Sequence, residues 1–351
     1  MQIIEINNNQ REAWDAFVQA HPEGNIYQTW AWREMIQTVY RQQPLYLAIT
    51  NDEGKIVAGL PLFKIRSKLT GNRLSSLPAA QFSNPLIRDL YDYEALVNYA
   101  LAILEKDHGG YLEIKTSEGA TAGAFDLAQL VNGYCCFTLN LKKSPEELQK
   151  QFHPSCVRRA IKKAVKNGLR LKTGASENDV RIFFDFYLKM RKTYGLIPQP
   201  LNFFIQMRNY LAPQERIQFL HAEFDGQIIA SIILLKYKDR VIYEYGASDP
   251  AKAPLRPSPF LLWEAIKTSQ SEGYSIFDFG RTSTENEGLM TFKERWGTQR
   301  LNLKYQYFPQ LKGFGSARQS SLPKQIMYYS IKNSTPAIAH LMGKLFYRNL
   351  I

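Results

Sequence analysis

Two segments of the chain repeat one pattern of apolar and polar positions. Residues 54–64 read GKIVAGLPLFK and residues 226–236 read GQIIASIILLK, with five of the eleven positions identical. A short apolar run that ends near an acidic turn residue precedes each segment, starting at Leu45 and at Gln218. Strand-like runs joined by a tight turn predict a β-hairpin, so we expect the same hairpin twice.

A helix followed by a strand also occurs twice. Helical periodicity from Leu96 and from Leu261 leads into strand-like runs at Tyr111 and Tyr274, and the glycine before each tyrosine suits a helix C-cap. We therefore predict an α/β (α+β) protein with two similar lobes, each with a mixed, mostly antiparallel sheet. The predicted bounds are 1–137 for the N-terminal lobe, 138–310 for the C-terminal lobe and 311–351 for a basic, apolar tail.

The formal net charge of +12 is concentrated in two segments. Residues 142–172 contain ten Lys/Arg against two Glu, and residues 311–351 contain six Lys/Arg and no acidic residue. Such a local positive field favours a polyanionic partner, namely RNA, a phosphorylated precursor or an anionic membrane face. The tail predicts two short helices separated at Pro336, which could pack on the first lobe or lie on anionic lipid.

Several classes of protein find no support in the sequence. The longest largely apolar run, residues 228–235, is too short to span a membrane, and the N-terminus lacks the layout of a signal peptide. We therefore expect a cytoplasmic protein. Three cysteines without a CxxC pair and five histidines without ligand spacing predict neither a disulfide nor a metal site. Neither a P-loop nor a dinucleotide-binding glycine motif is present.

Residues 155–167 predict a strongly basic amphipathic helix. The residues expected to face inward are Val157, Ala160, Ile161, Ala164 and Val165. The outer cations form one row of Arg158, Lys162 and Lys166 and a second row of Arg159 and Lys163. Like charges at this spacing repel each other and no Glu is interleaved, so we prefer phosphate binding over a merely solvated face.

The stretch 274–297, YSIFDFGRTSTENEGLMTFKERWG, has the pattern of an active-site loop. A buried strand delivers Asp278 and Arg281 to a polar loop, and the next helix places Lys293 near Trp296. Acyl transfer to an amine needs a positive group or N–H donors where the oxyanion develops, and Lys293 can supply that charge. A lysine between aromatic residues could equally lie over its neighbours for packing alone.

These motifs resemble the second lobe of the FemABX-type peptidoglycan bridge aminoacyltransferases and of the related BioF2-like acyltransferases. The resemblance rests on DFG at 278–280, FKxxWG at 292–297, the KNG end of the basic helix, EYGAS at 244–248, the segment 195–204 and, more weakly, YQTWAW at 27–32. It implies two GNAT lobes and a donor that is an aminoacyl-tRNA or, in some members, an acyl thioester. No tightly bound cofactor is then expected.

The resemblance also implies roles for particular residues. Lys293 matches a lysine that stabilises a carbonyl or phosphate group. The basic helix, with Arg158, Lys162 and Lys166, matches the helix that faces the donor or a precursor phosphate. The aromatic positions of the acceptor cleft are matched by Trp32, Tyr243 and Tyr245.

Other candidates come from the loops around these motifs. We add Asp278 to the catalytic set, and Arg159, Arg256 and Arg281 to the donor- or phosphate-binding set. The acceptor cleft gains Phe82, Asn84 and Trp296. Arg256 precedes a helix start where coenzyme A users carry a Gly-rich loop, but Pro257 and Pro259 lack N–H donors, which disfavours coenzyme A. Plain structural loops are the alternative reading around Arg256 and around Phe82.

Two positions depart from the bridge-forming relatives. Those relatives tend to have a Lys three residues after the Trp32 position and an Arg just before Pro200, whereas this chain has Met35 and Gln199. A lipid-linked or polysaccharide amine therefore fits as acceptor as well as a nucleotide-linked precursor.

The sequence thus predicts an acyl- or aminoacyltransferase that moves an aminoacyl group from tRNA, or an acyl group, onto an amine of a cell-envelope precursor. The alternatives are an N-acyltransferase of exopolysaccharide or lipid modification that uses acyl-CoA or an acyl carrier protein, and a non-catalytic RNA- or membrane-binding adaptor. The expected partners are tRNA, the envelope precursor and, through the tail, the inner face of the membrane.

Overall fold

The chain packs into two compact units. The computed structural model describes residues 2–67, 71–107, 109–121, 128–309 and 321–349. The first unit comprises Met1–Tyr134, Asn302–Ser320 and Arg348–Ile351, and the second comprises Cys135–Leu301 and Ser321–Tyr347. The lobe bounds inferred from the sequence stay predictions, and they differ from these units in assigning residues 135–137 to the first lobe and residues 302–310 to the second. The Gly/Ser-rich start of the tail, residues 312–320, lies outside the described residues.

Both units contain strands and helices. The strands are β1 Gln2–Glu5, β2 Gln43–Thr50, β3 Ile56–Ile65, β4 Arg73–Ser75, β5 Tyr111–Ser117, β6 Gln129–Asn140, β7 Arg170–Gly174, β8 Ile217–Phe224, β9 Gln227–Tyr237, β10 Arg240–Ser248, β11 Ile276–Asp278, β12 Thr282–Ser283 and β13 Gln299–Phe308. The α-helices are α1 Arg11–Ala20, α2 Trp30–Tyr40, α3 Leu90–Lys106, α4 Pro145–Gln151, α5 Arg159–Lys166, α6 Glu177–Thr193, α7 Leu201–Leu211, α8 Pro257–Ser271, α9 Glu287–Glu294, α10 Ser321–Lys332 and α11 Pro336–Phe346. Short 3₁₀ turns lie at Asn8–Gln10, Ile26–Gln28, Ala212–Gln214, Pro250–Leu255 and Tyr347–Asn349, and a π-helical turn lies at Pro154–Arg158.

The two units share one sheet plan. In the first unit the order is β1-β2-β3-β4-β5-β13, and in the second it is β7-β8-β9-β10-β11-β6. All neighbours are antiparallel except β4 with β5 and β10 with β11, which are parallel. The predicted hairpins are confirmed as β2–β3 and β8–β9, and both predicted helix–strand pairs are confirmed as α3–β5 and α8–β11. The last strand of each sheet comes from a distant part of the chain, which the repeat did not predict.

Each sheet buries apolar residues under one helix. In the first unit Leu47 and Leu60 of the hairpin are buried against Leu96 of α3. In the second unit Leu261 of α8 is buried in one cluster with Phe277 of β11. Complete burial of such a side chain contributes about 1.5–3 kcal/mol, so these clusters account for the position of β11 and of the loop that follows it.

The tail helices pack on the second unit. Ile331 of α10 and Ala339 of α11 are buried in a cluster with Ile197, and Leu188 of α6 packs against it. A Cβ at Gly343 would lie 2.3 Å from the carbonyl oxygen of Pro198, so the close approach of α11 requires this glycine. The expectation that the tail packs on the first lobe is therefore wrong for these two helices, whereas residues 348–351 belong to the first unit, where the carbonyl oxygens of Arg348 and Asn349 accept hydrogen bonds from Gln42 and Ser67. Within the described part of the chain, no helix combines the length and the apolar character that crossing a membrane requires.

Candidate functional site

The loop between β11 and α9 surrounds a buried lysine. Asn286 caps α9 by accepting a hydrogen bond from the N–H of Leu289 at 3.0 Å. Seven residues further on, Lys293 is only 3% exposed, and its Nζ donates to the carbonyl oxygens of Gly280 at 2.7 Å and of Arg281 at 3.5 Å. An ammonium has three donors, so one remains for a further acceptor. Lys293 thus ties α9 to the turn that ends β11.

Burial changes the protonation of this lysine. Desolvation lowers the pKa of Lys293 to about 8, although the thiol of Cys136 and the carboxylate of Asp278 oppose the shift. Near neutral pH the amine is still mostly protonated, and it titrates close to the physiological range. A buried ammonium of this kind can stabilise a developing negative charge in a site with little competing water.

Asp278, at the end of β11, holds the start of the loop between β11 and α9. It is 1% exposed, and its two oxygens accept hydrogen bonds from the Nη1 of Arg240 at 2.9 Å and from the backbone N–H of Gly280 at 2.8 Å. Gly280 has a φ of 77°, which L-residues with a side chain rarely adopt. The pairing with Arg240 could not be read from the sequence because the two residues lie on different strands. These contacts support a positioning role for Asp278, whose assignment to the catalytic set stays a prediction.

The basic helix begins as a π-helical turn and continues as α5. Val157, Ala160, Ile161 and Ala164 face inward as predicted, whereas Val165 is 59% exposed, so its predicted inward position is wrong. At 3.6 residues per turn, Val165 lies at the edge of the buried face, on the same side as the half-buried Arg158, whereas Ala164 in the same turn lies at the centre of that face. The cations of the two predicted rows also differ in environment: Arg158 is half-buried, and the other four are exposed.

The second predicted row lines a cleft of about 480 Å³ in the second unit. Arg159 and Lys163 form one side, Arg256 and Ser258 at the start of α8 form another, and Arg295 closes the end with Phe292. Among the described residues, none of the four cations has a carboxylate within ion-pair distance. Lys163 and Arg295 were not among the candidate site residues because only the fold brings them to Arg256. Arg158, Lys162 and Lys166 do not line this cleft, and Arg281 is exposed elsewhere on the loop.

A β-bulge separates the two tyrosines that were expected to line one cleft. Pairing between β10 and β9 shifts register at Glu244, so Tyr243 and Tyr245 do not follow simple alternation. Tyr243 packs on the cluster beneath α8. The ring of Tyr245 lies 5.3 Å from that of Phe204 in α7. The two rings therefore lie on opposite faces of the sheet, a consequence of the bulge that the sequence did not signal.

The remaining acceptor-cleft candidates have well-defined surroundings. In the first unit Trp32 is completely buried and Phe82 is half-buried. The Nδ2 of Asn84 donates to Glu23 at 2.7 Å and to Ser117 at 2.8 Å, so its amide orders a loop. In the second unit Trp296 is a core residue beside Phe152. An acceptor role for these residues stays a prediction.

The departures noted in the sequence are also buried. Met35 is completely buried in the first unit, and Gln199 is 2% exposed in the second. At these two positions the chain therefore lacks the charged side chain that the bridge-forming relatives tend to have. Within the described residues no group of three or more His, Cys, Asp or Glu side chains could hold a metal ion.

Comparisons with known proteins bear on the family and the fold. The sequence profile of the acetyltransferase (GNAT) domain matches residues 155–294, which include α5, Lys293 and all of the cleft lining except Arg295. A UDP-N-acetylmuramoylpentapeptide-lysine N(6)-alanyltransferase of Weissella viridescens is 22% identical over 319 residues, covering 84% of this chain and 91% of that protein. The crystal structure of FemX matches with a TM-score of 0.68 and 15% identity, over 93% of this chain and all of FemX. A tandem GNAT protein from the clavulanic acid biosynthesis pathway matches with a TM-score of 0.53 and 12% identity, over 87% of this chain and 97% of that one. The predicted fold of two GNAT-like lobes is confirmed.

Proposed function

Because the chain belongs to the FemABX-type family of GNAT acyltransferases, we propose that it transfers an aminoacyl group from aminoacyl-tRNA to an amine of a cell-envelope precursor. The observation that supports this most is the cleft lined by Arg159, Lys163, Arg256 and Arg295, which lies against the helix that bears Lys293. The Weissella viridescens relative is named for alanyl transfer to a lysine of a peptidoglycan precursor.

The shape and charge of the cleft favour a nucleic-acid donor. Four cations without carboxylate partners among the described residues suit a chain of phosphodiesters. At the start of α8, Pro257 and Pro259 offer no N–H groups, whereas a coenzyme A pyrophosphate is usually held by backbone N–H groups at a helix N-terminus. An acyl thioester remains the second candidate donor because Arg256 and Ser258 still line the same cleft.

The proposed reaction needs no covalent enzyme intermediate. The neutral acceptor amine attacks the ester carbonyl carbon, the bond from that carbon to the ribose oxygen breaks, and a proton passes from the amine to the leaving oxygen. Negative charge develops on the carbonyl oxygen during attack, and the third N–H of Lys293 would stabilise it. Asp278, through Gly280, would hold the loop against which the carbonyl is placed.

The proposed acceptor follows from two positions at which the chain lacks a cation. Met35 and Gln199 are buried and uncharged where bridge-forming relatives tend to have cations. A lipid-linked amine therefore suits this chain as well as a nucleotide-linked precursor. We also propose that the protein acts in the cytoplasm at the inner membrane face, with tail helix α11 as the contact.

Donor and acceptor can be tested in one set of assays. Purified protein is mixed with radiolabelled aminoacyl-tRNA or with radiolabelled acyl-CoA, each with a lipid-linked and with a nucleotide-linked amine acceptor. We expect label to move from tRNA to an acceptor, and RNase treatment of the donor to abolish the transfer. Transfer from acyl-CoA that RNase leaves unchanged would favour the thioester alternative.

The alternative of a non-catalytic adaptor can be tested with the same purified protein. An adaptor would bind tRNA or anionic membranes without transfer from any donor, and the variant Lys293→Met would bind as the wild type does. That combination of results would refute the transferase proposal.

A further inference from the structure

A second cleft lies in the first unit, close to the start of the chain. It has a volume of about 440 Å³ and is lined by Glu5, Ile6, Asn7, Asn8, Asn9 and Arg33. Strand β1 ends at Glu5, and a hydrogen bond of 2.8 Å from the N–H of Ile6 to the carbonyl oxygen of Tyr46 fixes the turn that follows. Arg33 reaches the cleft from α2. None of these residues belongs to the site proposed for acyl transfer.

Arg33 is a buried cation in an aromatic setting. The residue is 9% exposed, and its Cζ lies 3.9 Å from the ring centroid of Trp30 and 5.7 Å from that of Tyr46. Stacking on an aromatic face offsets part of the cost of removing a guanidinium from water. Stacking uses only the face of the group, so the in-plane N–H groups stay available to hydrogen-bond acceptors.

No anion among the described residues neutralises Arg33. The nearest acidic neighbour in sequence, Glu34, lies 3.7 Å from the Nη1 of Arg11, and no carboxylate of the described part of the chain lies within 4.0 Å of Arg33. The Nε of Arg33 and the hydroxyl of Tyr46 are both buried without a hydrogen-bond partner in that part of the chain. Burial of a charge without a partner is costly, so a position of this kind calls for a ligand or a functional reason.

Arg33 keeps its charge despite its burial. Burial lowers the pKa of the Arg33 guanidinium, while Glu34 and Glu5 act on it only at longer range in the opposite direction. An arginine nevertheless stays protonated at physiological pH. The cation is thus permanent, and Arg33 lines the cleft.

We propose that this cleft binds a small oxyanion, a carboxylate or a phosphate group, on the guanidinium of Arg33. The planar fork of arginine presents two parallel N–H groups that match two oxygens of either anion. Glu5 on the lining disfavours ligands with a long row of negative charges, which selects a small anion over a nucleic-acid backbone. The amide side chains of Asn8 and Asn9 complete the polar lining.

The test uses inorganic phosphate and sodium acetate as separate probes. Each is titrated by calorimetry into the full-length protein at constant ionic strength, with chloride as the balancing anion. The background variant Arg159→Ala/Lys163→Ala removes cations of the cleft in the second unit, to which phosphate would also bind. We expect saturable binding of at least one probe in this background, which lacks two of the four cations of the proposed donor site and still has Arg33.

Substitutions at Arg33 identify the site. Arg33→Met should abolish the saturable heat, and Arg33→Lys should weaken it by about 10-fold or more, because lysine keeps the charge and loses the fork. Arg41→Gln is the matched control, since it removes an exposed cation after the last turn of the same helix and should change nothing. Phosphate and acetate distinguish the two ligand chemistries.

Folding of the variants is checked by near-UV circular dichroism and thermal unfolding. Arg33→Met should fold, because it removes a buried charge that lacks a partner among the described residues. Absence of saturable binding of both probes in the Arg33-containing background would overturn the inference, and so would equal binding by a folded Arg33→Met variant. Since neither probe is an acyl donor, a failure of the transferase proposal would leave this result unchanged.

Discussion

At the scale of single residues, Lys293 shows a conflict between stability and function. Its ammonium is buried and donates to two backbone carbonyl oxygens, and desolvation lowers its pKa from 10.5 to about 8. At 1.36 kcal/mol per pH unit, this corresponds to a cost of roughly 3 kcal/mol for keeping the group charged. A residue maintained at such a cost is a strong candidate for the chemistry.

The variant Lys293→Met should therefore lose activity without losing stability. Removing one donor to a developing oxyanion typically lowers kcat by about 100-fold or more. The removed desolvation cost should offset the hydrogen bond lost by Gly280, which is about 1 kcal/mol. Single-turnover transfer and urea unfolding measure the two effects. A variant that unfolds much more easily than the wild type, or one that keeps full activity, would contradict this role.

The same lysine predicts how stability depends on pH. Its pKa is lower in the folded state than the value of 10.5 for an unperturbed lysine, so the unfolded chain binds more protons between about pH 8 and 10.5. The wild type should therefore gain stability relative to Lys293→Met as the pH rises through this window. We expect the difference in unfolding free energy to change by about 2 kcal/mol between pH 7 and pH 10. A difference that is constant over this range would show that Lys293 is not desolvated.

The sequence identified individual residues of the loop around Lys293 more readily than the residues that contact them from other strands. The spacing of the segment 278–297 predicted that Asp278 and Lys293 belong together, and the structure places both around Gly280. It did not predict Arg240, because a contact between neighbouring strands depends on sheet order. Tyr243 and Tyr245 were expected to line one cleft because residues two apart in a strand normally share a face. One extra residue between them breaks this alternation, and it leaves no clear mark in the sequence.

At the scale of elements, periodicity was the reliable signal. The hairpins β2–β3 and β8–β9 and the helices after them were predicted from local patterns, because each is stabilised by contacts close in the sequence. The last strands of the two sheets were not. Strands β13 and β6 pair with β5 and β11, far away along the chain, and no local pattern records such a partner.

The basic helix α5 offers a prediction with an internal control. Arg159 and Lys163 line the cleft, whereas Lys162 and Lys166 of the same helix do not. Arg159→Ala/Lys163→Ala should weaken tRNA binding by about 10-fold or more, and should reduce the slope of log affinity against log salt concentration by about 1 to 2. Filter binding at several salt concentrations measures both quantities.

The control is the variant Lys162→Ala/Lys166→Ala. It removes the same charge from the same helix and should lower affinity by less than about 3-fold, since these side chains lie outside the cleft. Equal losses in the two variants would mean that the helix acts through its overall field, and the cleft would lose its role as the donor site.

At the scale of the whole molecule, charge and apolar surface are unevenly distributed. The net charge of +12 includes an acid-free C-terminal segment, residues 311–351. There, α11 packs on the second unit with Ala339 and leaves Ile338, Leu341 and Leu345 between 50% and 59% exposed. Exposed apolar residues at this helical spacing, with the cations Lys344 and Arg348 nearby, are typical of a helix that lies on an anionic lipid surface.

We expect the protein to sediment with vesicles that contain phosphatidylglycerol, and not with vesicles of phosphatidylcholine alone. Ile338→Ser/Leu341→Ser/Leu345→Ser should reduce this binding by about 10-fold or more, because each buried apolar side chain contributes on the order of 1 kcal/mol. Tyr91→Ser is the control, as it removes an exposed apolar residue outside the tail. If the triple variant instead abolished self-association in the absence of lipid, the surface would be an interface between copies of the chain.

The position of β13 also affects how the protein is made. The sheet of the first unit consists of strands from residues 2–117 and is completed only by β13, which ends at Phe308. The sheet of the second unit, including β12 paired with β6, has all its strands once Ser283 has been synthesised. On the ribosome, the later half of the chain can thus finish its sheet before the earlier half. Meanwhile β5 has an unpaired edge, the kind of surface that chaperones protect in a nascent polypeptide.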